Sequence, residues 1–170
     1  MRNPTVLYIT WAYRPARTAG AIRAVNFVEA LVEAGLGVIV LTVGQRAEVE
    51  KISEDLTICT VSGDGQIPPE LEASSQSRWR RWESIPGPDA ASRTFRGIYR
   101  LAHGVIGQYK PSVVFASAPP FPSLLAGHRL AERYGLGLIL EFRDATADPA
   151  VEGGGNSPAA LRSSRRHSWD

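Results

Sequence analysis

The segment "LGLILEFRDATADP" (136–149) passes from an apolar run directly into Glu141, Arg143, Asp144 and Asp148. Alternate side chains of an extended chain share a side, so Glu141 and Arg143 stand together with Phe142 opposite. One reading is a salt bridge that closes the end of the strand. The other gives chemistry to Asp144, the first residue of the following loop. A carboxylate shielded from water near a guanidinium can act as general base toward a hydroxyl nucleophile. Asp144 and Asp148 lack the D-x-D spacing of many metal-dependent sugar transferases, so no metal and no cofactor is expected.

Three further stretches could bind. In "TAGAIRAVNF" (18–27), Gly20 opens a helical pattern, and backbone N–H groups at a helix start attract anions. Arg14, Arg17 and Arg23 add positive charge nearby. A glycine needed only for a tight strand-to-helix turn explains Gly20 equally well. "SAPPFPS" (117–123) puts prolines straight after a strand, either as a rigid helix start or as the wall of a cleft. Ser117 could donate a hydrogen bond there, and Pro119 would form the wall. "SRWRRWES" (77–84) sets Trp79 and Trp82 among Arg80, Arg81 and Arg78. That mixture suits an anionic membrane interface, or a solvated loop packing its tryptophans onto the body. It suits stacking on nucleic acid least well.

Several signatures are absent from the sequence: a G-x-x-x-x-G-K-[ST] phosphate loop, G-x-G-x-x-G after the first strand, and a G-x-S-x-G elbow. His103, His128 and His167 have no paired metal-ligand spacing. The first two fall in helical patterns, as surface or packing residues.

The elements that position these residues follow from hydrophobic spacing. Strands are expected at 5–10, 38–43, 56–61, 112–117 and 136–142. Ile22, Val25, Val28, Leu31 and Val32 mark a helix ended by Gly35 and Gly37. Phe95, Ile98, Leu101, Val105 and Ile106 mark a second, and "PFPSLLAGHRLAERYG" (120–135) a third, entered through prolines and closed by Gly135. Residues 45–55 read as a polar link and 62–90 as an irregular, Pro- and Gly-rich loop. Alternating strands and helices predict an α/β, Rossmann-like, doubly wound parallel sheet, with 136–142 as its last buried, central strand. Ligands of such sheets bind beyond the carboxyl ends of the strands, where strand order reverses. The loops after the first, fourth and fifth strands meet there.

The chain has 170 residues, 44% hydrophobic and 21% charged, with a formal net charge of +2. That fits one soluble domain and is too small a bias to imply nucleic acid. The single cysteine, Cys59, permits no internal disulfide and reads as a small core residue in an alternating strand. No segment reaches the roughly 18 apolar residues of a membrane span, and the N-terminal apolar run is short for a signal peptide. The expectation is a cytoplasmic protein, with peripheral contact to the inner face of the cytoplasmic membrane left open.

Four stretches in order carry a family resemblance: "RTAGAIRAVNFVEALVEAGLGVIVLT", "GPDAASRTFRGIYRLA", "KPSVVFASAPPFPSLLAGHRLAERYGLGLILEFRDATADP" and "EGGGNSP". Together, over roughly residues 4–158, they resemble the N-terminal domain of two-domain (GT-B) glycosyltransferases of family 4. The closest likeness is to the bacterial branch that builds lipid-linked or surface polysaccharides. The resemblance implies a nucleotide-diphosphate sugar as donor substrate, a lipid-linked or glycan acceptor, and retaining chemistry. It places Ala19 and Gly20 at the family's glycine pair near the donor diphosphate, with alanine in place of the first glycine. It gives Asp144 and Arg143 a base or charge-stabilising role at the strand end. Arg23, Ser117, Pro119 and Glu141, placed at the same edge of the sheet by their own segments, are the expected substrate-binding neighbours. Gly35-Leu36 and Ala145-Thr146 stand where the family often has Gly-His and a Trp-Pro pair. The expected division is a Rossmann-like domain at 1–150 and a flexible or truncated tail at 151–170. A donor-binding domain, about 150 residues more, is not in the sequence, so the chain alone is expected to transfer little or no sugar. A separate donor-binding domain would be its partner. The alternative is a non-enzymatic Rossmann-like module for a phosphorylated ligand or a protein.

Overall fold

Short β-branched and aliphatic runs form the sheet, and helices with one apolar stripe cover it. The computed structural model describes residues 4–72 and 90–143. In chain order these form β1 (Thr5–Ile9), α1 (Ala19–Glu33), β2 (Gly37–Gly44), β3 (Glu48–Lys51) and β4 (Leu56–Ser62). Then follow α2 (Pro69–Glu72), α3 (Ala90–Tyr109), β5 (Val113–Ala118), α4 (Pro122–Tyr134) and β6 (Gly137–Phe142). Trp79, Arg80, Arg81, Trp82, Asp144 and the tail 151–170 lie outside the described residues.

The strand order is β3-β4-β2-β1-β5-β6. All neighbours are parallel except β3, which runs antiparallel to β4. The chain steps outward from β1 through β2 and β4, then returns to β5 on the other side of β1. Order therefore reverses between β1 and β5. The expected Rossmann-like doubly wound sheet is what the residues build.

One face of the sheet packs Leu7, Ile9, Leu41, Val61, Val114 and Ala116 against α3 and α4. The other packs Tyr8, Val38, Val40 and Phe115 against Ala24 and Val28 of α1. Burial on both faces explains why β1, β2 and β5 read as largely apolar runs rather than alternating ones. Cys59 is fully buried in β4, as its pattern implied.

Three expectations are corrected. The buried stripe of α1 is Ala21, Ala24 and Val28, while Ile22 is 53% exposed. The polar link at 45–55 contains β3. Its residues Glu48, Glu50 and Lys51 carry no apolar signal because an edge strand pairs through its backbone alone. And 136–142 holds an edge strand, not a buried central one. Leu138, Ile139, Leu140 and Phe142 are all exposed, since β6 pairs with β5 on one side and no described strand lies on the other.

Candidate functional site

The carboxyl ends of β1, β5 and β6 meet the start of α1 at the reversal point. Parallel register aligns Ser117 of β5 with Glu141 of β6, on the sheet face that α1 covers. Ser117 Oγ donates to Glu141 Oε2 at 2.7 Å, and Arg23 Nη2 of α1 reaches Oε1 at 2.5 Å. Both carboxylate oxygens are thus held, one by a buried hydroxyl and one by a guanidinium from the facing helix. Glu141 keeps 17% of its side chain exposed while Arg23 keeps 64%, so the cation caps the carboxylate from the solvent side.

Beneath them lies Tyr8, 2% exposed. Its ring packs against Phe115 and Phe27 with centroids 5.2 and 5.7 Å away. Burial pushes the phenol pKa up and the Glu141 carboxylate adds to this, because a second negative charge there is disfavoured. Hydrogen bonding with Ser117 and the charges of Arg143 and Arg23 pull it partly back. Tyr8 was missed in the sequence; its one signal is a phenol within an aliphatic strand.

Arg143 does not pair with Glu141. Its Nε donates to the carbonyl of Ala118 at 2.9 Å and its Nη2 to that of Pro119 at 2.8 Å. Its backbone N–H also donates to the Ala118 carbonyl, at 3.2 Å. The guanidinium thereby ties the proline loop to the end of β6. The expected Glu141–Arg143 salt bridge gives way because α1 offers a better-placed cation, and the carbonyl of buried Ala118 needs a donor that the guanidinium supplies. The loop is braced further by Ser123 Oγ, which donates to the carbonyls of Ser117 at 2.6 Å and Pro120 at 2.8 Å.

α1 starts at Ala19, with the Thr18 hydroxyl capping the Ala21 N–H at 3.2 Å. Gly20 therefore sits inside the first turn rather than before it. A Cβ at Gly20 would fall 2.4 Å from Arg143 Nη1, so the missing side chain lets the guanidinium close on the helix start. Arg14 is spent on Glu29 of the same helix, at 3.2 Å.

Of the residues singled out in the sequence, Gly20, Arg23, Ser117, Glu141 and Arg143 are brought together. Ala19 opens the adjoining turn, and Pro119 is an exposed member of the loop that Arg143 clamps. Among the described residues no group of three His, Cys, Asp or Glu could hold a metal ion, and no helix is long and apolar enough to cross a membrane. His103 packs between α3 and α4 with its Nδ1 on the Tyr134 hydroxyl, and His128 is exposed.

No protein-family model matches the chain, and no curated protein matches it. Among solved structures, one described as "Trehalose-6-phosphate from E. coli bound with UDP-2-fluoro glucose" is similar at 12% identity and a TM-score of 0.47. The similarity covers 94% of this chain and 37% of that one, so this chain spans little more than a third of its length.

Proposed function

We propose that this chain is the acceptor-side domain (residues 1–150, with a tail at 151–170) of a retaining, GT-B type glycosyltransferase of family 4, from the bacterial glycan-building branch. The observation that carries the reading is the coupled pair of contacts at the strand-order reversal: Ser117–Glu141–Arg23, and Arg143 closed on Gly20. The sequence resemblance over 4–158 supports it independently.

In this reading the donor is a nucleotide-diphosphate sugar. Its diphosphate approaches the Ala19–Gly20 turn, where the helix N-terminus and the Arg143 guanidinium both favour negative charge. Asp144 accepts the proton of the acceptor hydroxyl, and Arg143 balances the charge that develops. Glu141, fixed by Ser117 and Arg23, receives a hydrogen bond from the acceptor, and Pro119 walls the cleft. The acceptor is lipid-linked, and Trp79, Arg80, Arg81 and Trp82 rest on the cytoplasmic membrane surface. A donor-binding domain forms the facing wall of the cleft, and transfer requires both.

A transfer assay with labelled nucleotide sugars and a polyprenyl-linked acceptor tests the reading. Product is expected when a donor-binding domain is supplied in trans, and its loss is expected with Asp144→Asn. No product beside a working two-domain control overturns it. The second reading is a non-enzymatic phospho-ligand module, in which Arg143, with Nε and Nη2 bound to the carbonyls of Ala118 and Pro119, braces the loop and takes no part in transfer. Nucleotide binding without transfer in that assay would select it.

A further inference from the structure

A concavity lies on the same carboxyl edge, beyond the ends of β2 and β4. It is a groove of about 780 Å³ between the β2–β3 turn and the 62–69 loop, a size within the usual range of ligand clefts. We propose that this groove is a saccharide-binding subsite. In the glycosyltransferase reading, on which its biological meaning rests, it would hold the sugar portion of the acceptor.

The walls are built before any ligand arrives. Gln66 N–H donates to Ser62 Oγ at 2.9 Å and to Asp64 Oδ1 at 3.3 Å, and Gln66 Nε2 donates to Asp64 Oδ2 at 2.8 Å. The Ser62 hydroxyl donates to Asp64 Oδ1 as well. From α3, Thr94 Oγ1 donates to the Gly63 carbonyl at 2.9 Å. Gly97 lets that helix approach, since a Cβ there would stand 2.7 Å from the Gly65 carbonyl. A loop pinned at both ends loses little further freedom when a ligand binds, which favours affinity.

The chemistry of the lining selects the ligand class. Asp64, Gln66 and Arg46 are planar groups with paired donors or acceptors, matched to vicinal hydroxyls that both give and take hydrogen bonds. Ile67 adds an apolar floor for the C–H face of a ring. Arg46 and Asp64 bring one charge of each sign, so the groove does not favour an anion. The Ser62 hydroxyl, and after it the Gln66 N–H, keep the Asp64 carboxyl below the usual carboxylate range. Two strand spacings, about 10 Å, separate β4 from β1, so one extended ligand could lie across the ends of β1 and β2 and also reach the reversal point.

Gly63 provides the test. It lines the groove, and a Cβ added there meets nothing within 4 Å. Gly63→Trp therefore fills the space without straining the fold. Assigned amide spectra would be titrated with glucose, galactose, mannose and N-acetylglucosamine, each alone, and with inorganic pyrophosphate as the anion arm. The expected result is saturable shifts at residues 44–47 and 62–66 with at least one sugar and none there with pyrophosphate. At least tenfold weaker binding is expected in Gly63→Trp, and a clear weakening in Arg46→Ala. Shifts with pyrophosphate only, no shifts with any sugar, or an unchanged affinity in both variants overturn the proposal. The transferase reading stands or falls separately, on product formation and on nucleotide-sugar shifts at residues 19–21.

Discussion

Ser117 Oγ and Arg23 Nη2 divide the two oxygens of Glu141 between them, at 2.7 and 2.5 Å. The two contacts differ in worth because their surroundings differ. Ser117 is buried, at 1% exposure, whereas Arg23 stands mostly in water. Ser117→Ala removes a hydroxyl that serves Glu141 and faces Tyr8 in a dry site, and should cost about 1–3 kcal/mol. Arg23→Ala should cost under about 1 kcal/mol, as exposed ion pairs do. Urea unfolding midpoints at an unchanged slope measure both; the reverse order would show that the ion pair carries the site.

Gly20 and Gly127 both stand in helices and both lack room for a Cβ, yet they should respond differently to alanine. At Gly20 the obstacle is Arg143 Nη1, 2.4 Å away at the end of a flexible side chain. Arg143 can swing out, giving up its bonds to the carbonyls of 118 and 119. The better helix propensity of alanine, up to about 1 kcal/mol, offsets that loss. Gly20→Ala should therefore fall within about 1 kcal/mol of the parent and, in the proposed glycosyltransferase reading, weaken nucleotide-sugar binding. At Gly127 the obstacle is Ala116 Cβ at 2.6 Å, fixed to the sheet, so Gly127→Ala should lose about 1–3 kcal/mol. Thermal unfolding of both variants decides it, and equal losses would mean Arg143 is as immobile as the sheet.

The sheet and its large helices were legible because three- and four-residue spacing and unbroken apolar runs leave few alternatives. Gly135 closes α4 in the left-handed region, φ 65°, as its place after Tyr134 suggested. β3 was not legible, for "EVEK" pairs through main-chain groups that any sequence has. Nor could "LGLILEF" tell an edge from a centre, since composition reports what a strand tolerates on its faces and says nothing of which neighbours it has. In the site, Glu141 and Arg143 were visible as charges at a strand end, but their partners were not. Arg23 is 118 residues from Glu141 in the chain, and only the Ser117–Glu141 register and the position of α1 bring the three together.

Cys59 offers a chemical report on global unfolding. Burial alone pushes its thiol pKa up to about 12, so almost no thiolate forms at pH 8 and reagent cannot reach the sulfur. Modification by a thiol reagent should then proceed only through unfolded molecules, accelerating with urea in step with loss of structure. A folded-state pKa above the unfolded one means that its stabilising share is full below about pH 9 and fades as pH climbs toward 12. Rapid labelling of the native protein at pH 8 would contradict this packing.

His103 should make the fold acid-sensitive. Burial, and second the nearby charge of Arg133, push its pKa down to about 3, against about 6.5 in an unfolded chain. The unfolded state binds the extra proton between those values, so this contribution is present above about pH 6.5 and is lost as pH falls toward 3. His103→Asn keeps a polar group beside the Tyr134 hydroxyl but cannot titrate. The urea midpoint of the parent should drop more steeply between pH 7 and pH 4.5 than that of the variant. Parallel profiles would remove His103 as the source.

β6 carries the most exposed apolar surface of the described sheet, with Phe142 at 63% and Ile139 at 49%. An edge strand of this kind presents unpaired main-chain groups beside apolar side chains, a template for pairing with another chain. Ile139 lies on the face that α1 covers elsewhere, in register with Phe115, but out past the reach of that helix. Ile139→Lys should therefore change stability by less than about 0.5 kcal/mol, as surface substitutions do. It should also reduce concentration-dependent association in sedimentation, because a lysine on an edge resists strand addition. Leu7→Ala, in the middle of β1 and fully buried, should cost about 2–5 kcal/mol on the same scale. If Ile139→Lys matched that loss, β6 would have to be covered on that face in solution, and the edge position would no longer describe it.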